Sequence, residues 1–242
     1  MLLVTMAAGL APQVTPGYPE KLWYIGLCIA LYGIAGIILH FTWNRSQASG
    51  SRPFGWANRV TLFRTLITVA LAGMVPFVTE RMLPGEGGAM LWPYTMIGIA
   101  TVCLLLDGVD GFIARKAQAT SDFGARFDME VDAAFILVLC ILLWRTGVAP
   151  AWVLIIGLMR YGFVAAAVPL PALKAPLPPS LRRKTICVVQ VVSLVICLHP
   201  MLEAETAKAI LLTALLLLTG SFAKDVWDLL RGQPPVQGSV DH

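Results

Sequence analysis

The sequence predicts an all-α, polytopic membrane protein, and three observations predict it. Apolar residues make up 57% of the chain and charged residues 13%, about half the charge of a soluble domain. The mean hydropathy is +0.76, and the apolar residues gather in runs near the roughly 20 residues that a spanning helix needs. Trp23, Trp43, Trp92, Trp144, Trp152 and Trp227 stand near the ends of those runs, where an interfacial aromatic belt places them.

Seven spans are expected, at 22–43, 61–79, 90–108, 128–145, 151–169, 185–200 and 206–230. The first lies between Trp23 and Trp43. The second opens after a basic, polar stretch and closes before the loop residues Pro84, Gly85, Gly87 and Gly88. The third begins beside Trp92 and ends at an acidic cluster, and the fourth leaves that cluster and ends at Trp144. The fifth starts at Trp152 and carries Arg160 near its middle. A proline-rich run, 169–180, separates it from the sixth, and the seventh follows after a short turn. Residues 1–19 hold no Lys or Arg, so no secretory signal peptide is expected. The tail 232–242 is short and polar.

Lys and Arg set the orientation. Arg45, Arg52, Arg59, Arg64, Arg115, Lys116, Arg126, Lys174, Arg182, Arg183, Lys184, Lys224 and Arg231 fall on one set of connections, and Lys21, Arg81, Arg145 and Lys208 on the other. The richer set is expected on the cytoplasmic side. This places the N-terminus outside and the C-terminus inside, in agreement with an odd number of spans, which requires the termini on opposite sides.

Six of the 14 acidic residues, Asp107, Asp110, Asp122, Asp128, Glu130 and Asp132, lie at the junction of the third and fourth spans. Charge at membrane depth is costly and points to function. Asp107 and Asp110 share a helix face at i, i+3, and Asp128 and Asp132 at i, i+4. Two antiparallel helices can aim both pairs at one point, where four carboxylates would repel unless a cation stood among them. Oxygen ligands without Cys or His suit Mg²⁺ or Mn²⁺. Four carboxylates suit two ions, a common arrangement for phosphoryl transfer. Gly111 leaves room for a ligand, and Arg115, one turn on, can grip phosphate with its fork of donors. Gly124 is read as opening the turn before the next helix. Asp122 and Glu130 lie off this pattern and are read as surface or supporting residues.

The pattern Asp107-x-x-Asp110-Gly111-x-x-Ala114-Arg115, eight residues, Gly124, three residues, Asp128, three residues, Asp132 resembles the signature of the CDP-alcohol phosphotransferase (CDP-alcohol phosphatidyltransferase) family. Asn58-x-x-Thr61-x-x-Arg64 resembles the family's weaker N-terminal motif. The resemblance implies a six-helix core over 51–231, with 1–50 as a tail and an extra first helix, and 232–242 as a short tail. It implies a transferase that moves a phosphatidyl (phosphoalcohol) group from a CDP-lipid such as CDP-diacylglycerol to an acceptor alcohol, with release of CMP. By resemblance Asp107, Asp110 and Asp128 hold one ion, Asp107, Asp128 and Asp132 hold the second, and Asp132 is the general base. Asn58, Thr61, Arg64, Gly111, Arg115 and Ser121 would contact the CDP-lipid.

The acceptor is less defined. Arg160 inside a span needs a partner or a polar cavity, and a pocket role is favoured over a structural ion pair. Arg182, Arg183 and Lys184, expected in the loop before the sixth span, suit either anionic headgroups or an acceptor phosphate. Arg182-Arg183-Lys184-Thr185 with Gln190 partly resembles the basic segment of family members that use glycerol 3-phosphate, the phosphatidylglycerophosphate synthase type. Tyr161 after Arg160 departs from it. Glycerol 3-phosphate is the first acceptor reading, with inositol phosphate, serine, choline and a lipid alcohol open beside it, and water as acceptor in a hydrolase. From another class, a divalent-cation transporter would use the same carboxylates. The expected partners are the CDP-lipid, a small alcohol and membrane lipids, with no nucleic acid; a homodimer is compatible with the sequence. The expected location is the inner (cytoplasmic) membrane, multi-pass, with the site on the cytoplasmic side. The scattered cysteines, Cys28, Cys103, Cys140, Cys187 and Cys197, are read as small buried helix residues, and His40 and His199 as interfacial packing.

Overall fold

The computed structural model describes residues 18–47, 56–78, 91–117, 122–174 and 180–231. All regular structure among them is helical. Seven α-helices follow in order: α1 (Tyr18–Gln47), α2 (Trp56–Met74), α3 (Leu91–Ala117), α4 (Asp122–Arg145), α5 (Leu154–Ala166), α6 (Leu181–Cys197) and α7 (Ala204–Leu230). Two 3₁₀ turns, Ala151–Val153 and Pro171–Lys174, flank α5. The loop 84–88 and the tail 232–242 lie outside the described residues.

The helices sit on the seven expected runs, with ends set by local chemistry. α2 begins earlier than expected and stops at Met74, two residues before Pro76, which lacks an N–H and disfavours helix in the residue before it. α3 runs on through Asp107, Asp110 and Arg115, and α4 starts at Asp122. Gly124 is therefore inside the first turn of α4 and opens no turn there, because the helix needs no left-handed residue at that point. α6 starts immediately after Ser180, whose backbone is extended (φ −133°, ψ 125°). Arg182, Arg183 and Lys184 thus form the first turn of a helix, where a preceding loop was expected.

Among the described residues one helix, α7, is long and apolar enough to cross a membrane by length and composition alone. Shorter apolar stretches cover Lys21–Ile37, Pro93–Gly108 and Ala151–Ala166.

α4 is the hub. It packs against α1, α2, α5 and α6, while α6 also packs on α3 and α7. Leu139, Leu142 and Leu143 at its centre are fully buried. Gly157 lets α5 approach closely: a Cβ there would fall 2.6 Å from the Leu137 Cα of α4. The extra first helix is docked by buried contacts, since the Tyr24 hydroxyl donates to the Ala70 carbonyl of α2 at 3.2 Å. Cys28 fills the space above Gly73, where any side chain would strike its sulfur. Cys28, Cys103, Cys140 and Cys197 are buried as expected, whereas Cys187 is exposed. His199 stacks edge-on against Tyr94 at 5.6 Å and accepts the Met201 N–H, which is a packing role.

Candidate active site at the charged end of the bundle

The start of α2, the end of α3 and the start of α4 meet at one end of the bundle. The i, i+4 spacing of Asp128 and Asp132 turns both toward α2 and α3, and Asp107 faces them from the end of α3. One carboxylate oxygen from each of the three lies within 4.8 Å of the others. Among the described residues this is the group of acidic side chains able to hold a metal ion. All three are partly exposed, so the cluster opens outward.

Arg64 stands in the middle. Its Nη1 is 3.0 Å from Asp107 Oδ1 and 2.7 Å from Asp128 Oδ1. Its Nη2 donates to Asp132 Oδ1. The side chain is 2% exposed, which makes it one of the largest fully buried side chains in the protein. Three carboxylates against one guanidinium leave a surplus of two formal negative charges. Oxygen donors carrying that surplus, close together and open on one side, fit a divalent cation. Arg64, which the resemblance assigns to the CDP-lipid, turns its terminal nitrogens toward the acids and also lines the adjoining cavity. Thr61, one turn earlier, is buried, and its carbonyl accepts the Thr65 hydroxyl at 2.8 Å.

A cavity adjoins the cluster, lined by Arg64, Asp107, Asp132, Leu104, Phe135, Cys187, Val188 and Val191. Leu104 and Phe135 lie one turn deeper than Asp107 and Asp132, so a charged mouth leads to an apolar floor.

Asp110, Gly111 and Arg115 lie on the last two turns of α3 and Asn58 on the first turn of α2, but their side chains lie outside the description, as Ser121 does altogether. The structure thus brings together Asp107, Asp128, Asp132 and Arg64, and describes no contact for the other expected CDP-lipid ligands except Thr61.

The cationic residues fall into two further groups. Arg160 of α5 pairs with Glu130 of α4, Nη2 to Oε1, at 2.5 Å. Glu130 lies two residues from Asp128 and from Asp132, which on a helix puts it on the other face of α4, so this pair is on the side of α4 turned away from the acid cluster. Arg182 donates through Nη1 to the Ser221 carbonyl at 2.8 Å and to the Ser221 hydroxyl, and through Nη2 to Asp225. Arg183 Nη1 is 3.9 Å from the same Asp225 oxygen, and Asp225 is buried. Lys184 is exposed on the same turn. Arg182 precedes the cavity-lining Cys187 by five residues, about 7–8 Å along a helix. Ser221 and Asp225 went unnoticed in the sequence. Their i, i+4 spacing on a long apolar helix was the available signal, and nothing local says which arginine they meet.

Comparison with known families gives a match over most of the chain. The family model described as CDP-alcohol phosphatidyltransferase covers residues 54–220. Comparisons with curated proteins and with solved structures return no match.

Proposed function

The chain belongs to the CDP-alcohol phosphatidyltransferase family of phospholipid synthesis, whose members are transferases of substituted phosphate groups, and from that membership we propose that it moves a phosphatidyl group from CDP-diacylglycerol to glycerol 3-phosphate, releasing CMP. The observation that carries the reading is the convergence of Asp107, Asp128 and Asp132 within 4.8 Å on the 26-residue pattern from Asp107 to Asp132.

In this reading α2 to α7 form the six-helix membrane core within 51–231, and α1 is an added span. The protein lies in the inner membrane with its N-terminus outside and the charged end of the bundle in the cytoplasm. Asp107, Asp110, Asp128 and Asp132 hold two Mg²⁺ or Mn²⁺ ions. Ions bound there would supply positive charge to the pyrophosphate of the donor. Asn58, Thr61, Gly111, Arg115 and Ser121 hold the CDP portion, and Arg64 joins that pocket to the carboxylates.

Asp132 accepts the proton of the acceptor hydroxyl. The freed oxygen forms a bond to the β-phosphorus while the bond from that phosphorus to the CMP oxygen breaks in line with it. The apolar floor formed by Leu104, Phe135 and Val191 keeps the reacting end at the membrane surface. Arg160 and the first turn of α6, with Arg182, Arg183 and Lys184, receive the acceptor phosphate. Charge-assisted bonds of this kind suit a phosphorylated alcohol, whereas a neutral alcohol such as serine or choline would not need them.

The test is an assay of purified protein with CDP-diacylglycerol and a panel of alcohols, following CMP and lipid product together. CMP and product should appear with glycerol 3-phosphate, and inorganic phosphate should compete with that acceptor. Product from a neutral alcohol alone would overturn the acceptor, CMP without added alcohol would indicate hydrolysis, and ion flux without CMP would indicate transport.

A further inference from the structure

A guanidinium is a fork whose terminal nitrogens match the spacing of anionic oxygens. In Arg64 both terminal nitrogens are committed to protein carboxylates: Nη1 to Asp107 at 3.0 Å and Asp128 at 2.7 Å, and Nη2 to Asp132. These acids come from two helices, and the arginine from a third. Its side chain, 2% exposed, has little access to a ligand in solvent. Its main-chain carbonyl is tied as well, accepting the Thr68 hydroxyl at 2.9 Å. An arginine so placed is suited to holding anions of the protein itself together.

We infer that Arg64 is the resident counter-cation of the carboxylate site: it holds Asp107, Asp128 and Asp132 together while no metal is bound, and it opposes metal loading. The inference rests on the metal reading proposed above and deepens it. Without a positive charge among them, three carboxylates this close repel one another strongly. With Arg64 among them, the surplus carried by these three acids falls from three charges to two. The same positive charge repels an incoming cation and competes for the same oxygens. The site therefore trades affinity for a pre-set geometry: the ligands are already gathered when the ion arrives, and the ion is held less tightly than by the acids alone. Weaker holding tunes the site to metal concentration, since an ion must outcompete a tethered guanidinium.

This gives two effects of opposite sign, which a structural role would not produce. In detergent micelles with EDTA, full-length Arg64→Gln should melt several degrees below the wild type, because the carboxylates lose their partner. In the absence of substrate, the same variant should bind Mn²⁺, followed by titration calorimetry, at least about tenfold more tightly, because a like charge has left the site. Arg64→Lys, one point charge without the fork, should fall between wild type and Arg64→Gln in both. If the wild type binds Mn²⁺ and Arg64→Gln binds it no more tightly, the counter-cation reading is overturned while the metal reading stands. If the wild type binds no Mn²⁺, the metal reading falls and takes this one with it. Should Arg64→Gln fail to accumulate in membranes, Arg64→Gln with Asp132→Asn should accumulate, since one repelling charge is gone. Failure of the pair as well would show that charge balance is not what Arg64 supplies.

Discussion

The α2–α3–α4 cluster and the α6–α7 cluster use the same chemistry with opposite sign. At the first, one arginine serves three acids, Asp107, Asp128 and Asp132. At the second, Arg182 and Arg183 share one buried acid, Asp225, with Ser221 adding neutral acceptors. The first carries surplus negative charge and the second surplus positive charge. A balanced pair, Arg160 with Glu130, lies on the other face of α4 from the acid cluster. The difference teaches how such a site recruits its ligands. An arginine in a helix bundle does not by itself announce an anion site; the ratio of guanidinium to carboxylate around it decides. By that ratio the α3–α4 junction suits a cation, and in the proposed reading the start of α6, about 7–8 Å along the helix from the cavity-lining Cys187, receives an anion.

The largest expected effect breaks the acidic half. Asp107→Asn and Asp128→Asn should each cut CMP release by about a hundredfold or more, in line with losing a pre-set charge from a reacting site, while the protein still inserts. EDTA should have the same effect, reversed by Mg²⁺ or Mn²⁺. Full activity in either variant would remove the metal role from this end of the bundle.

Next is the cationic half. Arg182→Ala should raise the acceptor constant about ten- to a hundredfold, the range for one charge-assisted hydrogen bond at about 1.5–3 kcal/mol. The constant for CDP-lipid should hardly move. Asp225 is buried, so losing Arg182 should also lower the melting temperature. Asp225→Asn separates the two contributions: it frees Arg182 and leaves no buried charge behind. If Arg182→Ala lowers stability and leaves the acceptor constant untouched, the α6–α7 cluster is a clamp between helices and nothing more.

The balanced pair gives a smaller effect, and its direction is informative. Arg160→Ala should raise the acceptor constant by about tenfold. Glu130→Gln should lower it by about two- to fivefold, because the competing carboxylate is exposed and its pull is screened by water. Acceptor titrations of both variants check this. A rise in both would mean that the ion pair itself, and not a liberated Arg160, is what the acceptor needs.

The smallest effect lies away from both clusters. Gly157→Ala places a methyl group against the α4 backbone at Leu137 and should cost about 1–3 kcal/mol of stability as overpacking. Thermal melting measures it. The apparent constant of the donor should stay close to wild type, because Gly157 touches none of the residues that line the acid cluster and its cavity.

Helix content was legible because apolar runs and loop chemistry are local. Every helix falls on a run visible in the sequence, and the errors are at the ends: α3 and α4 lengthen into the acidic junction and α6 reaches back to Ser180. Those ends were misread because charged residues were taken as marking the limit of a span. In the structure the helix continues beyond it, since charged residues are accommodated in a helix about as well as apolar ones.

The carboxylates could be read from the sequence for the same local reason. A spacing of three or four residues fixes which side chains share a helix face, so Asp128 and Asp132 had to point together whatever surrounded them. Their charge partner was beyond such reasoning. Arg64 lies 64 and 68 residues from Asp128 and Asp132, Arg160 lies 30 from Glu130, and Arg182 lies 43 from Asp225. Helical periodicity says which residues stand side by side on one cylinder, but not which cylinder they will face. That choice was made by packing, through buried surfaces such as Leu139, Leu142 and Leu143 and the close approach at Gly157. The sequence by itself therefore determined the acids, the membrane character and the transferase pattern. The tertiary structure decided that Arg64 stands among the acids and that Arg182 is shared with Asp225, because contact between distant segments depends on how whole helices bury their surfaces.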